Sequence, residues 1–192
     1  MLYRKFLWLL VLLAACARPG PAFHATDITG SEFGRRLELT DHHGQLRRLA
    51  DFQGRAVILF FGYASCPDVC PTTLGKFSQV VKSLGPDAGR VQVLFVTLDP
   101  ERDTAERLRA FVPWFHPDFL GLYGDRAATD AAAREFRVFS ARKDLDGGLG
   151  YVLDHSAGAY VFDPAGRLRL YVGDQMPAAD IAADLRLLLA GK

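Results

Sequence analysis

Two stretches of the chain are apolar at nearly every position, while most of the remainder is apolar on one face only. That contrast predicts the layout. Residues 55–63 (Arg-Ala-Val-Ile-Leu-Phe-Phe-Gly-Tyr) and residues 91–98 read as strands buried on both faces, as at the centre of a parallel sheet. Between them Leu74, Phe77, Val81 and Leu84 recur at helical spacing, and Gly85-Pro86 supplies a stop. After the second strand, Asp103-Thr104-Ala105-Glu106 reads as a capping box with Asp103 as the cap. Leu108, Phe111, Val112 and Phe115 form the stripe of the helix that follows, which Pro113 ends or kinks. Residues 127–136 are a shorter helical stretch.

The flanks read as hairpins. Leu37 and Leu39, the turn Asp41-His42-His43-Gly44, then Leu46 and Leu49 predict one near the N-terminus. Residues 159–162 and 167–172 predict another around Asp163-Pro164-Ala165-Gly166, where proline pre-sets the turn. Pro177 then sits near the start of a last helix carrying Ile181, Leu185, Leu188 and Leu189. The order is hairpin, strand, helix, strand, helix, helix, hairpin, helix. It implies an α/β fold and is compatible with a thioredoxin-like sandwich with a central mixed sheet, an N-terminal hairpin and helices on both faces.

The first residues follow a different logic. Arg4 and Lys5 precede an almost unbroken apolar run over residues 6–15, which is too short for a bilayer span of about 20 residues. It suits the core of a signal peptide. Leu13-Ala14-Ala15-Cys16 resembles a bacterial lipobox, in which Cys16 becomes the lipidated first residue. The expected organisation is a lipoprotein signal peptide over 1–15, a lipid anchor and tether over 16–30, and one domain over 31–192. Such a protein is exported and anchored to the envelope membrane, its domain facing the periplasm or outer side. Composition adds little: 23 basic against 22 acidic residues offer no field for nucleic acid.

The chemistry lies in residues 61–71, Phe-Gly-Tyr-Ala-Ser-Cys-Pro-Asp-Val-Cys-Pro, between the first buried strand and its helix. Cys66 and Cys70 are the two cysteines beyond Cys16. Placed in the first turn of a helix, they share one face with Cα atoms about 6 Å apart. A disulfide can span that separation. A helix start also favours thiolates, with Asp68 working weakly against them. Two thiolates form a soft set suited to Cu(I) or Zn, completed by at least one further ligand. Spacing alone leaves a structural disulfide, a redox couple and a metal site open.

Five histidines compete for the third position. His24 belongs to the tether, His42 and His43 to a polar turn expected to be exposed, and His116 to a proline-flanked surface stretch. His155 stands in Tyr151-Val152-Leu153-Asp154-His155-Ser156, just before the apolar strand at 159–162. In a thioredoxin-like sheet that segment passes beside the cysteine-bearing helix start.

Three blocks in order, residues 61–74, Asp99-Pro100-Glu101-Arg102-Asp103-Thr104 and Asp154-His155-Ser156, resemble the Sco/SenC family over residues 33–189. The resemblance implies a copper-binding protein serving assembly of the CuA centre of cytochrome c oxidase, with Cys66, Cys70 and His155 as ligands. It implies as partners the CuA-bearing oxidase subunit and a periplasmic copper donor. Asp99 and Asp154 fall on acidic positions near the family's site and are candidates for supporting the ligands.

Two departures bear on this. Thioredoxin-like reductases carry a proline before the strand facing their cysteines, whereas Ser156-Ala157-Gly158 stands here and leaves room for a histidine. Ala17 follows Cys16, where aspartate commonly marks inner-membrane retention. The leading function is a metallochaperone. Its rival is a thiol–disulfide reductase that keeps the CuA cysteines reduced, using the Cys66–Cys70 pair as a disulfide couple. A peroxidase ranks last, because Ala64-Ser65-Cys66-Pro67 lacks a threonine beside the reactive cysteine.

Overall fold

A computed structural model describes residues 22–148 and 150–192; Cys16, the leader and Leu149 lie outside the described residues. Two strands anchor the architecture, β4 (Ala56–Gly62) and β5 (Val91–Thr97), parallel and in register from Ala56↔Val91 to Gly62↔Thr97. All fourteen of their residues are buried, which explains why the apolar pattern ran through both alternations. Alternate side chains feed two cores. Ile58, Phe60, Val93 and Phe95 face one, and Val57, Leu59, Phe61, Leu94 and Val96 face the other. Each fully buried phenylalanine contributes roughly 1.5–3 kcal/mol.

The first core is covered by α1 (Val69–Ser83), α2 (Ala105–Phe111) and α4 (Ala178–Leu189), through Leu74, Phe77, Leu108, Ile181 and Leu185. The second lies under α3 (Arg126–Glu135), with Phe136 at its end. The remaining strands extend the sheet. They are β1 (Thr26–Asp27), the hairpin β2 (Glu38–Asp41) and β3 (Leu46–Arg48), β6 (Leu120–Tyr123), and the hairpin β9 (Ala159–Phe162) and β10 (Leu168–Val172). Among the described residues the order is β1-β10-β9-β4-β5-β6-β2-β3, with β4, β5 and β6 parallel and the other pairings antiparallel. The expected α/β, thioredoxin-like sandwich with helices on both faces is the observed fold.

Several expectations change in detail. The tether does not reach residue 30, because β1 already pairs with β10. The backbone N–H groups of His24 and Ala25 donate to the buried carboxylate of Asp184 at 2.9 and 2.8 Å. The cap of α2 is Thr104, whose Oγ1 accepts from the Arg107 N–H at 3.2 Å; Asp103 is buried and engaged elsewhere. α1 begins at Val69, so Cys66 precedes the helix and does not share its first turn with Cys70. His42 is buried rather than exposed, its Nδ1 accepting from Gly121 N–H at 3.0 Å.

Two features had no expectation. β6 is four residues long, too short to show a period. A second sheet is formed by β7 (Ser140–Asp144) and β8 (Tyr151–His155), and the polar β7 carries no alternation to announce it. Among the described residues no helix is long and apolar enough to cross a membrane.

Candidate metal centre

The C-terminal ends of parallel strands leave a crevice in which α/β proteins place their chemistry. β4 delivers it through Gly62. A Cβ at that position would come within 2.7 Å of Cys70 Sγ and 2.9 Å of Phe95, so glycine makes the room the thiol occupies. Residues 63–68 then turn into α1. The turn is held by Cys66 N–H donating to Tyr63 O at 3.2 Å and by Ala64 N–H donating to Asp103 Oδ2 at 2.8 Å. Asp68 occupies the cap position of α1, yet its carboxylate does not cap. Cys66 Sγ accepts from Cys70 N–H at 3.5 Å and so receives one of the unpaired helix-start donors.

The two thiols are therefore unequal. Cys66 is half-buried and Cys70 fully buried, and both are free. The Cys70 thiol hydrogen-bonds to Cys66, and this contact does most to lower the Cys66 pKa to about 5; the Asp68 and Cys70 N–H groups and His155 add to it against the cost of burial. The same contact, with burial, pushes Cys70 well above the ordinary thiol range. Cys66 is thus the thiol that ionises first.

His155 arrives from the end of β8. Its Nδ1 lies 2.9 Å from the carbonyl oxygen of Ser156, which can only accept, so Nδ1 carries the proton. Nε2 is turned to the cysteines, 3.5 Å from Cys70 Sγ. Tyr63 packs edge-on against the imidazole with centroids 6.0 Å apart, and Phe60 lies at 6.3 Å. One ligand atom each from Cys66, Cys70 and His155 lie within 4.8 Å of one another. An open pocket of about 280 Å³, rimmed by Tyr63, Pro67, Val69, Leu153 and Asp154, leads to them.

The structure thus brings together three residues expected to cooperate, and His24, His42, His43 and His116 do not join them among the described residues. Neither carboxylate expected behind the ligands touches one. Asp154 is exposed on the rim. Asp99 is buried and accepts from Tyr151 Oη at 2.7 Å and from Arg102 Nε. The carboxylate behind the cysteine turn is Asp103, which takes Ala64 N–H and, at 2.6 Å, the Thr97 hydroxyl; burial raises its pKa. Its only signal in the sequence was an acidic residue at a helix start where Thr104 could also cap.

The sequence model of the SCO1/SenC family matches residues 25–190. The mitochondrial protein SCO2 homolog of Mus musculus is 40% identical over 156 residues, covering 80% of this chain and 61% of that protein. This chain therefore spans about three fifths of that relative's length. ScoI of Bradyrhizobium japonicum, solved with copper bound, superimposes with a TM-score of 0.73 at 34% identity, over 80% of this chain and 98% of that one. Yeast Sco1, also solved with copper bound, gives a TM-score of 0.73 at 30% identity over 81% and 87%.

Proposed function

The chain belongs to the SCO1/SenC family, and on that premise we propose that it binds a copper ion through Cys66, Cys70 and His155 and serves assembly of the CuA centre of cytochrome c oxidase as a metallochaperone. The observation that carries this is the convergence of two sulfurs and one imidazole nitrogen within 4.8 Å. That donor set suits Cu(I), for which soft sulfur ligands are preferred. The site's chemistry suits it too: Cys66 ionises readily, its pKa lowered to about 5, and the contact of His155 Nδ1 with Ser156 O leaves Nε2 as the nitrogen facing the sulfurs. Copper is cargo here, received from a periplasmic donor and passed on by ligand exchange. The half-buried Cys66 and the open pocket give an acceptor's cysteines access to it.

Anchoring belongs to the same reading. Lipidation of Cys16 would hold the domain at the envelope membrane, where the CuA-bearing subunit receives its metal.

A second role is favoured by the unequal thiols. An accessible thiolate beside a buried thiol is what disulfide reduction uses. Cys66 attacks one sulfur of the acceptor's disulfide and expels the other as a thiolate. Cys70, on losing its proton, then attacks Cys66 Sγ. This releases the acceptor's second cysteine reduced and leaves a Cys66–Cys70 disulfide. Two electrons pass to the acceptor and none is left over.

Copper titration of the reduced protein beside His155→Ala tests the first role. One copper per chain is expected, with a sulfur-to-Cu(II) charge-transfer band in the oxidised-metal form and a markedly weaker complex in the variant. Equal affinities would remove His155 from the site. Reduction of an oxidised CuA domain, with His155→Ala as active as the parent, supports the second role; no reduction at all refutes it.

A further inference from the structure

His155 stands at the end of a hairpin that, among the described residues, shares no ladder with the central sheet. Something other than sheet hydrogen bonds must therefore fix its ring. Side chains alternate along a strand, so Tyr151, Leu153 and His155 form one row of β8. Leu153 packs against both cores, which makes this the inward row. Tyr151 is its far end, roughly 13 Å from His155 at the ordinary strand rise.

Tyr151 is gripped at several points. Its hydroxyl donates to Asp99 Oδ1 at 2.7 Å, and its carbonyl oxygen accepts from Arg102 Nη1 at 2.9 Å. The guanidinium carbon of Arg102 lies 3.6 Å from the ring centroid and that of Arg142 3.8 Å. Two guanidinium groups so close to one centroid can only sit on opposite faces. Arg102 Nε also donates to Asp99, whose own N–H is held at 2.9 Å by Thr97, the last residue of β5. The grip therefore grows directly out of a central strand. Arg102 reaches the metal centre a second way, lying 5.7 Å from the centroid of Tyr63, the ring that packs against His155.

We propose that Arg102 is a positioning residue for the metal centre: by clamping Tyr151 to Asp99 it holds β8 as a rigid arm and sets where His155 meets Cys66 and Cys70. This rests on the copper reading for its consequence, although the clamp itself needs no metal. Asp99 thus supports the ligand set from a distance, through Arg102 and Tyr151, without touching any ligand.

Arg102→Met keeps an unbranched stem and removes the planar fork that stacks and bonds. In the reduced, metal-free protein, amide hydrogen exchange should quicken in β7 and β8 while β4 and β5 keep their protection. Copper affinity should fall about tenfold or more, as when a group behind a metal ligand is lost. In a His155→Ala background the same substitution should cost nothing further, and the imidazole nitrogen coupling in the Cu(II) EPR spectrum should weaken only when His155 is present. Should Arg102→Met not fold, Tyr151→Leu breaks the clamp from the hairpin side and is expected to give the same pattern. Unchanged hairpin exchange, or an equal affinity loss with and without His155, overturns the proposal. A silent Arg102→Met beside a weakened His155→Ala rejects the clamp and leaves the copper reading standing. A silent His155→Ala strikes the copper reading, and exchange in the metal-free hairpin then still decides the clamp.

Discussion

Gly62→Ala places one methyl group against the buried sulfur of Cys70. The new Cβ would lie 2.7 Å from Cys70 Sγ, 2.9 Å from Phe95 Cε2 and 3.3 Å from Phe60 Cε1. Ordinary carbon contacts are about 3.5–4.0 Å, so the methyl intrudes by close to 1 Å. Cys70, Phe95 and Phe60 are all fully buried, and none can swing into solvent. Overpacking of this kind costs about 1–3 kcal/mol. Alanine recovers about 0.4–1 kcal/mol by restricting the unfolded chain, since Gly62 is not among the left-handed glycines. A net loss of about 1–2 kcal/mol should lower Tm by about 2–8 °C in a domain of this size.

Thermal and urea unfolding measure this cost, and a double-mutant cycle assigns it. In a Cys70→Ala background the sulfur is gone, so Gly62→Ala should cost less, with the Phe95 contact accounting for the remainder. The same substitution should also weaken copper binding, because Cys70 Sγ is pushed from its place beside Cys66 and His155. An identical destabilisation in both backgrounds would refute the idea that Gly62 exists to accommodate the thiol.

Other outcomes follow from the same contacts. Ultraviolet thiolate absorbance should rise by one thiolate per chain with a midpoint near pH 5, the value to which Cys66 is lowered, and Cys66→Ser should abolish that step. Because Cys66 ionises more readily in the folded chain, its contribution to stability is complete above the ordinary thiol pKa and is lost as pH falls toward 5. Burial lowers the pKa of His42, so the unfolded chain takes up a proton below about pH 6.5 that the folded chain refuses. Stability should therefore fall from pH 7 to pH 5, and His42→Asn, which can still accept from Gly121, should flatten the slope; urea midpoints across that range check it. Asp184→Ala removes the acceptor for His24 and Ala25 N–H, costing about 1–3 kcal/mol for two stranded donors. Limited proteolysis should then cut ahead of β1 while β4 and β5 stay protected.

Much of the fold was legible because burial writes itself locally. β4 and β5 are hydrophobic on both alternations only because both their faces are covered, and the hairpin β9–β10 carries its own turn in Asp163-Pro164-Ala165-Gly166. The cysteine turn declared itself by position, between a buried strand and a helix. β7 did not, since Ser140-Ala141-Arg142-Lys143-Asp144 pairs with β8 and covers no core. Asp103 and His42 were misplaced for a related reason. Polar residues at a helix start or a turn are ordinarily solvated, and only tertiary contacts with Ala64, Thr97 and Gly121 bury these two.

The sequence by itself determined the strand–turn–helix unit that presents Cys66 and Cys70, because hydrophobic period, proline, glycine and cysteine spacing act within a few residues of one another. Only the tertiary structure decided which cysteine ionises first, how closely His155, already singled out by its place before the strand at 159–162, approaches the pair, and what holds it there. The thiol asymmetry depends on burial and a hydrogen bond between side chains. His155 comes from 85 residues beyond Cys70, on an arm fastened through Tyr151 and Arg102. Those contacts cross elements, and no local pattern along the chain encodes the distances between them.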